Sequence, residues 1–279
     1  MTMEVSVSPN SVLKEKRDHV FYITLNRPDV LNAINLDVSV GLHDAIEDFK
    51  ADRDAFVAIL TGNGRAFCAG ADLKDMVIDR ERSQEERIAR AQLRRERGNT
   101  ILATQECWKP IIAAVNGLAL GGGFEMAISC DIIVAGSDVR LGTPEAKRGL
   151  IPGVAVKRLA KQVPLKAALE IMLTAEDRMT AQRAHELGLV NSVVPVEPGW
   201  TNDQKRAAVV AGAEEIANKM IGCAPLALQA IKECVHKTRH LPEREAMNMS
   251  FDQVFRESLD ALEGPQAFTE KRRPVWQNR

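Results

Sequence analysis

At 279 residues, with 45% hydrophobic and 27% charged residues, the chain can hold one large domain, or a domain with an appendage, around a well-buried core. A formal net charge of −1 leaves no electrostatic footprint for nucleic acid or an acidic membrane surface. Five scattered cysteines (Cys68, Cys107, Cys130, Cys223, Cys234) form no CxxC pair and read as reduced thiols of a cytosolic protein. The opening MTMEVSVSPNSVLKEK lacks the apolar or Arg-rich pattern of a targeting segment, and no apolar run approaches the length of a membrane span. The expectation is a cytoplasmic protein with neither a membrane nor a nucleic-acid partner.

In chain order, HVFYITL (19–25) is rich in β-branched and aromatic residues and predicts a strand. Leu42, Ala45, Ile46 and Phe49 follow at the spacing of an amphipathic helix. VAIL (57–60) predicts a second strand, and after a glycine-punctuated loop IIAAV (111–115), IIVAG (132–136) and LVNSVV (189–194) add three more. Strands alternating with helices predict an α/β architecture. Between them, 79–97 (DRERSQEERIARAQLRRER) is dense in both signs of charge. It is expected as a solvated helix laced with i,i+4 pairs; the sharper alternative is a wall over the site whose arginines meet a ligand phosphate. After VEPGW (196–200) the pattern is helical only. Leu228, Ile231 and Val235 share one face of a helix opened by Pro225 at N1, and Phe251, Val254, Phe255 and Leu262 mark another. Residues 1–200 are therefore expected to form an α/β core with the site, and 201–279 a helical region.

The chemistry centres on LALGGGFEM (118–126), where three glycines bare backbone N–H groups at an expected helix start and Glu125 follows. Glycine lets a main chain approach a ligand closely, and helix-start N–H groups offer partial positive charge to an oxyanion. NGRAFCAGADLKDM (63–76) is a second such loop, with Asp72 placed as an N-cap. The Ala71 N–H would then point out of that helix start. Set opposite the Gly122 N–H, it would give two donors for one oxygen that gains negative charge. In GTPEAKRG (142–149), Thr143 as N-cap, Pro144 at N1 and Gly149 past the end delimit a short helix. Glu145 at N2 would lie in the positive field of that start, which favours its ionised form. The plain alternative for Glu145 is a carboxylate that only complements the helix dipole.

LNRPDVLNAI (25–34), AFCAGADLKDM (66–76), KPIIAAVNGLALGGGFEMAISCDIIVAG (109–136), GTPEAKRGLIPG (142–153), MTAQRAHELGLVNSVVP (179–195) and EGPQAFTEKRRPVW (263–276) together resemble the enoyl-CoA hydratase/isomerase (crotonase) family. The match runs in order across nearly the whole chain and is most like the bacterial enoyl-CoA hydratases. The resemblance implies a crotonase-like spiral of repeated ββα turns with a C-terminal helical trimerisation region, and trimers often paired into hexamers. It implies that the N–H groups of Ala71 and Gly122 form the oxyanion pair. It also places Glu125 and Glu145 at the positions of two glutamates that flank a water, with Gly153 matching a glycine whose N–H helps hold that water. Ala69, Asp72, Leu73 and Lys74 fall at the CoA channel, while Phe268 and Lys271 match tail residues that reach the CoA of a neighbouring subunit.

The implied activity is hydration of a 2-enoyl-CoA to a 3-hydroxyacyl-CoA, with acyl-CoA as partner, CoA as part of the substrate and no separate cofactor. In that reaction one group takes a proton from water and another delivers one to Cα. Glu145 is expected as the base and Glu125 as the Cα donor. GGGFE, PEAK and the tail also resemble carnitinyl-CoA dehydratase, the first alternative; a double-bond isomerase of the same fold is another, and a non-catalytic RNA-binding trimer a third. Cys234, His236 and His240 form no recognised metal pattern, so no metal is expected. One stretch departs from the family: VAVKRLAKQVP (154–164) stands where many hydratases carry a glycine-rich segment.

Overall fold

The computed structural model describes residues 5–97, 106–251 and 253–279. Strands β1 (Val12–Arg17) and β2 (Val20–Leu25) form an antiparallel hairpin that turns through Asp18 at φ 49°. From β2 the sheet continues in parallel through β3 (Val57–Gly62), β5 (Ile111–Val115), β7 (Ile132–Gly136) and β10 (Ser192–Val194). The strand order is β1-β2-β3-β5-β7-β10. Every residue of β3 and β5 is buried, as parallel strands covered on both faces must be.

Side chains alternate between two layers. Val57 and Ile59 pack with Ile112, Val134 and, from helix α8 (Asn202–Ile221), Val209, Ala213 and Ala217. Ala58 and Leu60 point the other way, into the larger core. There they join Leu42, Ala45, Ile46 and Phe49 of α1 (Leu36–Ala51), the stripe expected from helical spacing. Asn35 caps α1 by accepting from Val38 N.

A second sheet has the order β4 (Ala66–Cys68), β6 (Leu118–Leu120), β8 (Arg140–Gly142), β9 (Met179–Thr180). Its first three strands are parallel. The chain thus repeats a unit: one strand in the large sheet, one in the small sheet, then a helical turn. The units end in α2 (Leu73–Glu81), α4 (Gly122–Ala127) and a 3-10 turn at Pro144–Arg148. Because the strands stay in parallel register, whatever follows β4, β6 and β8 is stacked side by side. That stacking positions the site.

The charged run is two helices rather than one. After α2, Ser83 starts α3 (Gln84–Glu96) with a capping box to Glu86. The strongest ion pairs cross from one helix to the other: Arg90 Nε lies 2.6 Å from Asp79 and its Nη2 3.3 Å from Asp75. The hairpin brings acids of α2 opposite arginines of α3, and this overrides the i,i+4 pairing expected along one helix. The strand expected over 189–194 is confined to Ser192–Val194.

Past β10 the described residues form helices only: α8, then α9 (Pro225–Thr238), α10 (Glu243–Ala246), α11 (Gln253–Arg256) and α12 (Leu259–Glu270). Pro225 occupies N1 of α9. Helix α8 seals the back of the large sheet, so the packed core extends past residue 200. Further on, Ile231, Val235, Val254 and Leu262 are all more than half exposed. Among the described residues no helix is long and apolar enough to cross a membrane.

Candidate active site

The loop after β4 is laced to the segment after β2. Ala69 N donates to Leu31 O, Ile34 N to Gly70 O and Asp72 N to Ile34 O. This bridge uses the groups on either side of Ala71, so the Ala71 N–H faces away from Ile34. Asn32 braces the loop from beneath: it is fully buried, with its side chain donating to Asn63 O and Ala66 O and accepting from Arg27 N. Asp72 caps α2 through Asp75 N and pairs with Arg27 at 3.1 Å. It is a brace for the loop, and it does not border the cavity described below.

The three glycines after β6 have separate reasons. Gly121 adopts φ 54°, and a Cβ there would stand 3.0 Å from Glu145 Oε1. Gly122 opens α4, and a Cβ on it would stand 3.9 Å from Ala71 N. Gly123 lies so close to Cys68 O that no side chain fits. Gly121 N–H is taken by Gly142 O. Among the described residues neither the Ala71 nor the Gly122 N–H has an acceptor. Two such donors on adjoining walls can hold one oxygen that gains negative charge.

Glu125 is buried, at 4% exposure. Its Oε1 accepts from Val154 N at 2.6 Å and Ala155 N at 2.9 Å, where α5 (Ala155–Arg158) begins. The stretch that departs from the family is therefore what grips this carboxylate. With Oε1 occupied twice, only Oε2 remains to take up a proton.

Glu145 sits in the 3-10 turn after β8, and its Oε2 is buried with no hydrogen-bond partner among the described residues. Burial first, and the charge on Glu125 as well, push its carboxyl above the ordinary 4.5, against the pull of its own backbone N–H and Arg148. This corrects the expectation that a helix start favours the ionised form. The turn has only five residues, and the cost of desolvating a charge exceeds what so short a dipole returns. Nor is Thr143 a side-chain cap: its hydroxyl donates to Ile171 O at 3.3 Å.

These groups share a cavity of about 510 Å³. Ala69, Ala71, Leu73, Gly122, Glu125, Glu145 and Gly153 all border it. Lys74, Phe268 and Lys271 do not; Phe268, on α12, is 87% exposed. The lining also includes Ile34, Met76, Arg94, Leu120, Leu150 and Ile151, which residue-by-residue reading of the sequence did not single out. Arg94 carried a signal, since it lies in the charged run. His236 faces Asp131 at 3.7 Å and packs near Trp108, and no cluster of three metal-ligand side chains occurs among the described residues.

Comparison with known proteins identifies the family. The family described as Enoyl-CoA hydratase/isomerase matches residues 15–279. A probable mitochondrial enoyl-CoA hydratase of Dictyostelium discoideum is 37% identical, over 95% of this chain and 90% of its own. A carnitinyl-CoA dehydratase of Salmonella typhi is 36% identical, over 93% and 95%. The crystal structure of enoyl-CoA hydratase EchA1 from Mycobacterium marinum superposes with a TM-score of 0.82 at 38% identity, covering 97% of this chain and all of that one. This chain belongs to the enoyl-CoA hydratase/isomerase family.

Proposed function

We propose that the protein hydrates a 2-enoyl-CoA thioester to the 3-hydroxyacyl-CoA. The observation that carries this reading is a pair of carboxylates in unlike settings, facing one cavity beside two backbone donors that no other described residue occupies. The thioester carbonyl is conjugated with the double bond, so attack of water at Cβ pushes charge onto the carbonyl oxygen. The N–H groups of Ala71 and Gly122 hold that oxygen, and loss of one such donor typically costs about 3–4 kcal/mol of barrier. Glu125 takes a proton from water through Oε2 as hydroxyl bonds to Cβ. Glu145, whose carboxyl burial pushes above the ordinary 4.5, delivers a proton to Cα as the enolate collapses. Proton return from Glu125 to Glu145 then resets the pair. These roles reverse the assignment expected from sequence, and the reversal rests on which carboxyl is gripped by N–H groups and which has a buried oxygen with no partner among the described residues. Gly153 is assigned to the water, and Ala69 and Leu73 to the CoA channel.

No separate cofactor or metal enters this scheme. Phe268 and Lys271 are assigned to the CoA bound by a neighbouring subunit of a homotrimer or dimer of trimers, a reading supported by the exposed apolar residues of the helical region. A cytoplasmic location is inferred from the unpaired cysteines.

Carnitinyl-CoA dehydration is the second reading, because a relative of that name matches so much of the chain. The lining favours hydration of an uncharged or anionic acyl group instead. Among the described residues it has no aromatic ring, and its charged residues besides the two glutamates are Arg94 and Arg148, poor company for a trimethylammonium. Incubation with crotonyl-CoA, followed by chromatography of the thioesters, should yield 3-hydroxybutyryl-CoA. Turnover of carnitinyl-CoA with crotonyl-CoA untouched would replace this reading with the second one.

A further inference from the structure

The geometry points to Arg94 as the residue that reads the far end of the acyl group, selecting 2-enoyl thioesters that end in a carboxylate. This rests on the hydratase reading above and adds a substrate class to it. In the α2–α3 hairpin three guanidinium groups, Arg82, Arg90 and Arg94, surround two carboxylates, Asp75 and Asp79. Arg90 is the tightly held one, at 2.6 Å from Asp79 and 3.3 Å from Asp75. Arg94 stands 3.5 Å from Asp79 and 3.9 Å from Asp75. These three cations share two anions, and Arg94, whose two contacts are the longest of the cluster, borders the cavity.

The polar residues of the α1 start that border the cavity are already committed. Asn35 caps α1, and Ser39 Oγ donates to Asn35 O. Ser39 is only 3% exposed although it borders the cavity, and α3 is tied to α1 by Arg97 and Asp44 at 2.9 Å, so Arg94 and Ser39 border the cavity on the side that α1 walls off. The hydrated phosphates of CoA are better served by open solvent, which leaves the side walled by α1 to the acyl chain. A carboxylate arriving there would meet a guanidinium with N–H groups to spare, in surroundings drier than bulk water. A terminal methyl would gain nothing from that charge.

The test compares wild type with Arg94→Met on crotonyl-CoA and on glutaconyl-CoA, a 2-enoyl thioester that ends in a carboxylate. Arg94→Met should lower kcat/KM on glutaconyl-CoA about tenfold or more while crotonyl-CoA stays within about twofold. Arg94→Lys should restore part of the loss. Arg90→Met breaks the same cluster without touching the cavity, and should lower Tm with no preference between the two substrates. Equal losses on both substrates with Arg94→Met would overturn the assignment. So would a loss on crotonyl-CoA that vanishes with crotonyl-pantetheine, which would place the guanidinium on a CoA phosphate. A wild type inert on both thioesters contradicts the hydratase reading. One that hydrates crotonyl-CoA with no discrimination by Arg94 contradicts only this inference.

Discussion

Two peptide N–H groups hold Glu125 Oε1, whereas Glu145 Oε2 is buried with no donor among the described residues. A division of labour follows, and it can be read at Cα. Wild type should exchange a Cα proton of butyryl-CoA in deuterated water, followed by NMR. Glu145→Gln should abolish that exchange, and Glu125→Gln should leave it largely intact while still losing hydration by about 10²–10⁴-fold. The opposite pattern would restore the assignment expected from sequence. Proton affinity gives a second check. Burial raises the Glu145 carboxyl above 4.5 in the folded chain. Its contribution to stability is thus full below 4.5 and is lost as pH rises through the raised value. Glutamine has no proton to lose, so the Tm of Glu145→Gln relative to wild type should climb as pH rises from about 4.5. A flat difference across that range would mean that the carboxyl is not desolvated. Both glutamates were legible in the sequence, because GGGFE and TPE are short motifs with mechanical content. Their settings were not, because Glu145 packs its Oε1 against Gly121, more than twenty positions earlier in the chain.

At the scale of elements, legibility follows length and period. The strands of the large sheet come from β-rich runs and were visible, except β1, whose VLKEKR has only its first residue buried. The small sheet was invisible, since strands of two or three residues are too short to show alternation. Yet that sheet aligns Ala71, Gly122 and Glu145. Asp72 links an element to the chemistry: it caps α2 and ties Arg27 to the loop that presents Ala71. Asp72→Ala should lower stability by about 1–2 kcal/mol and reduce kcat with it. Asp72→Asn keeps the cap and should recover most of the stability by thermal denaturation. If Asn is as damaging as Ala, the charge pair with Arg27 rather than the cap positions the loop.

For the whole molecule, sequence periodicity correctly placed an apolar stripe on α9, but Ile231 and Val235 remain 60% and 54% exposed. Among the described residues nothing covers them, so periodicity that reads as core is, here, surface. Such contiguous apolar exposure is typical of an interaction face. Light scattering after size exclusion should therefore give a mass of three or six chains, and Val235→Glu should shift it toward one. A monomeric wild type would remove the basis for assigning Phe268 and Lys271 to a neighbour's CoA.

The central claim is that one desolvated and one N–H-bound glutamate hydrate an enoyl thioester. Its most direct test is the rate of crotonyl-CoA hydration by wild type beside Glu145→Gln, followed across pH by loss of the enoyl-thioester absorbance. Wild type should be active and decline on the alkaline side, as Glu145 gives up the proton it must deliver, and the variant should be slower by orders of magnitude at every pH. A variant that hydrates at near wild-type rates would contradict the account.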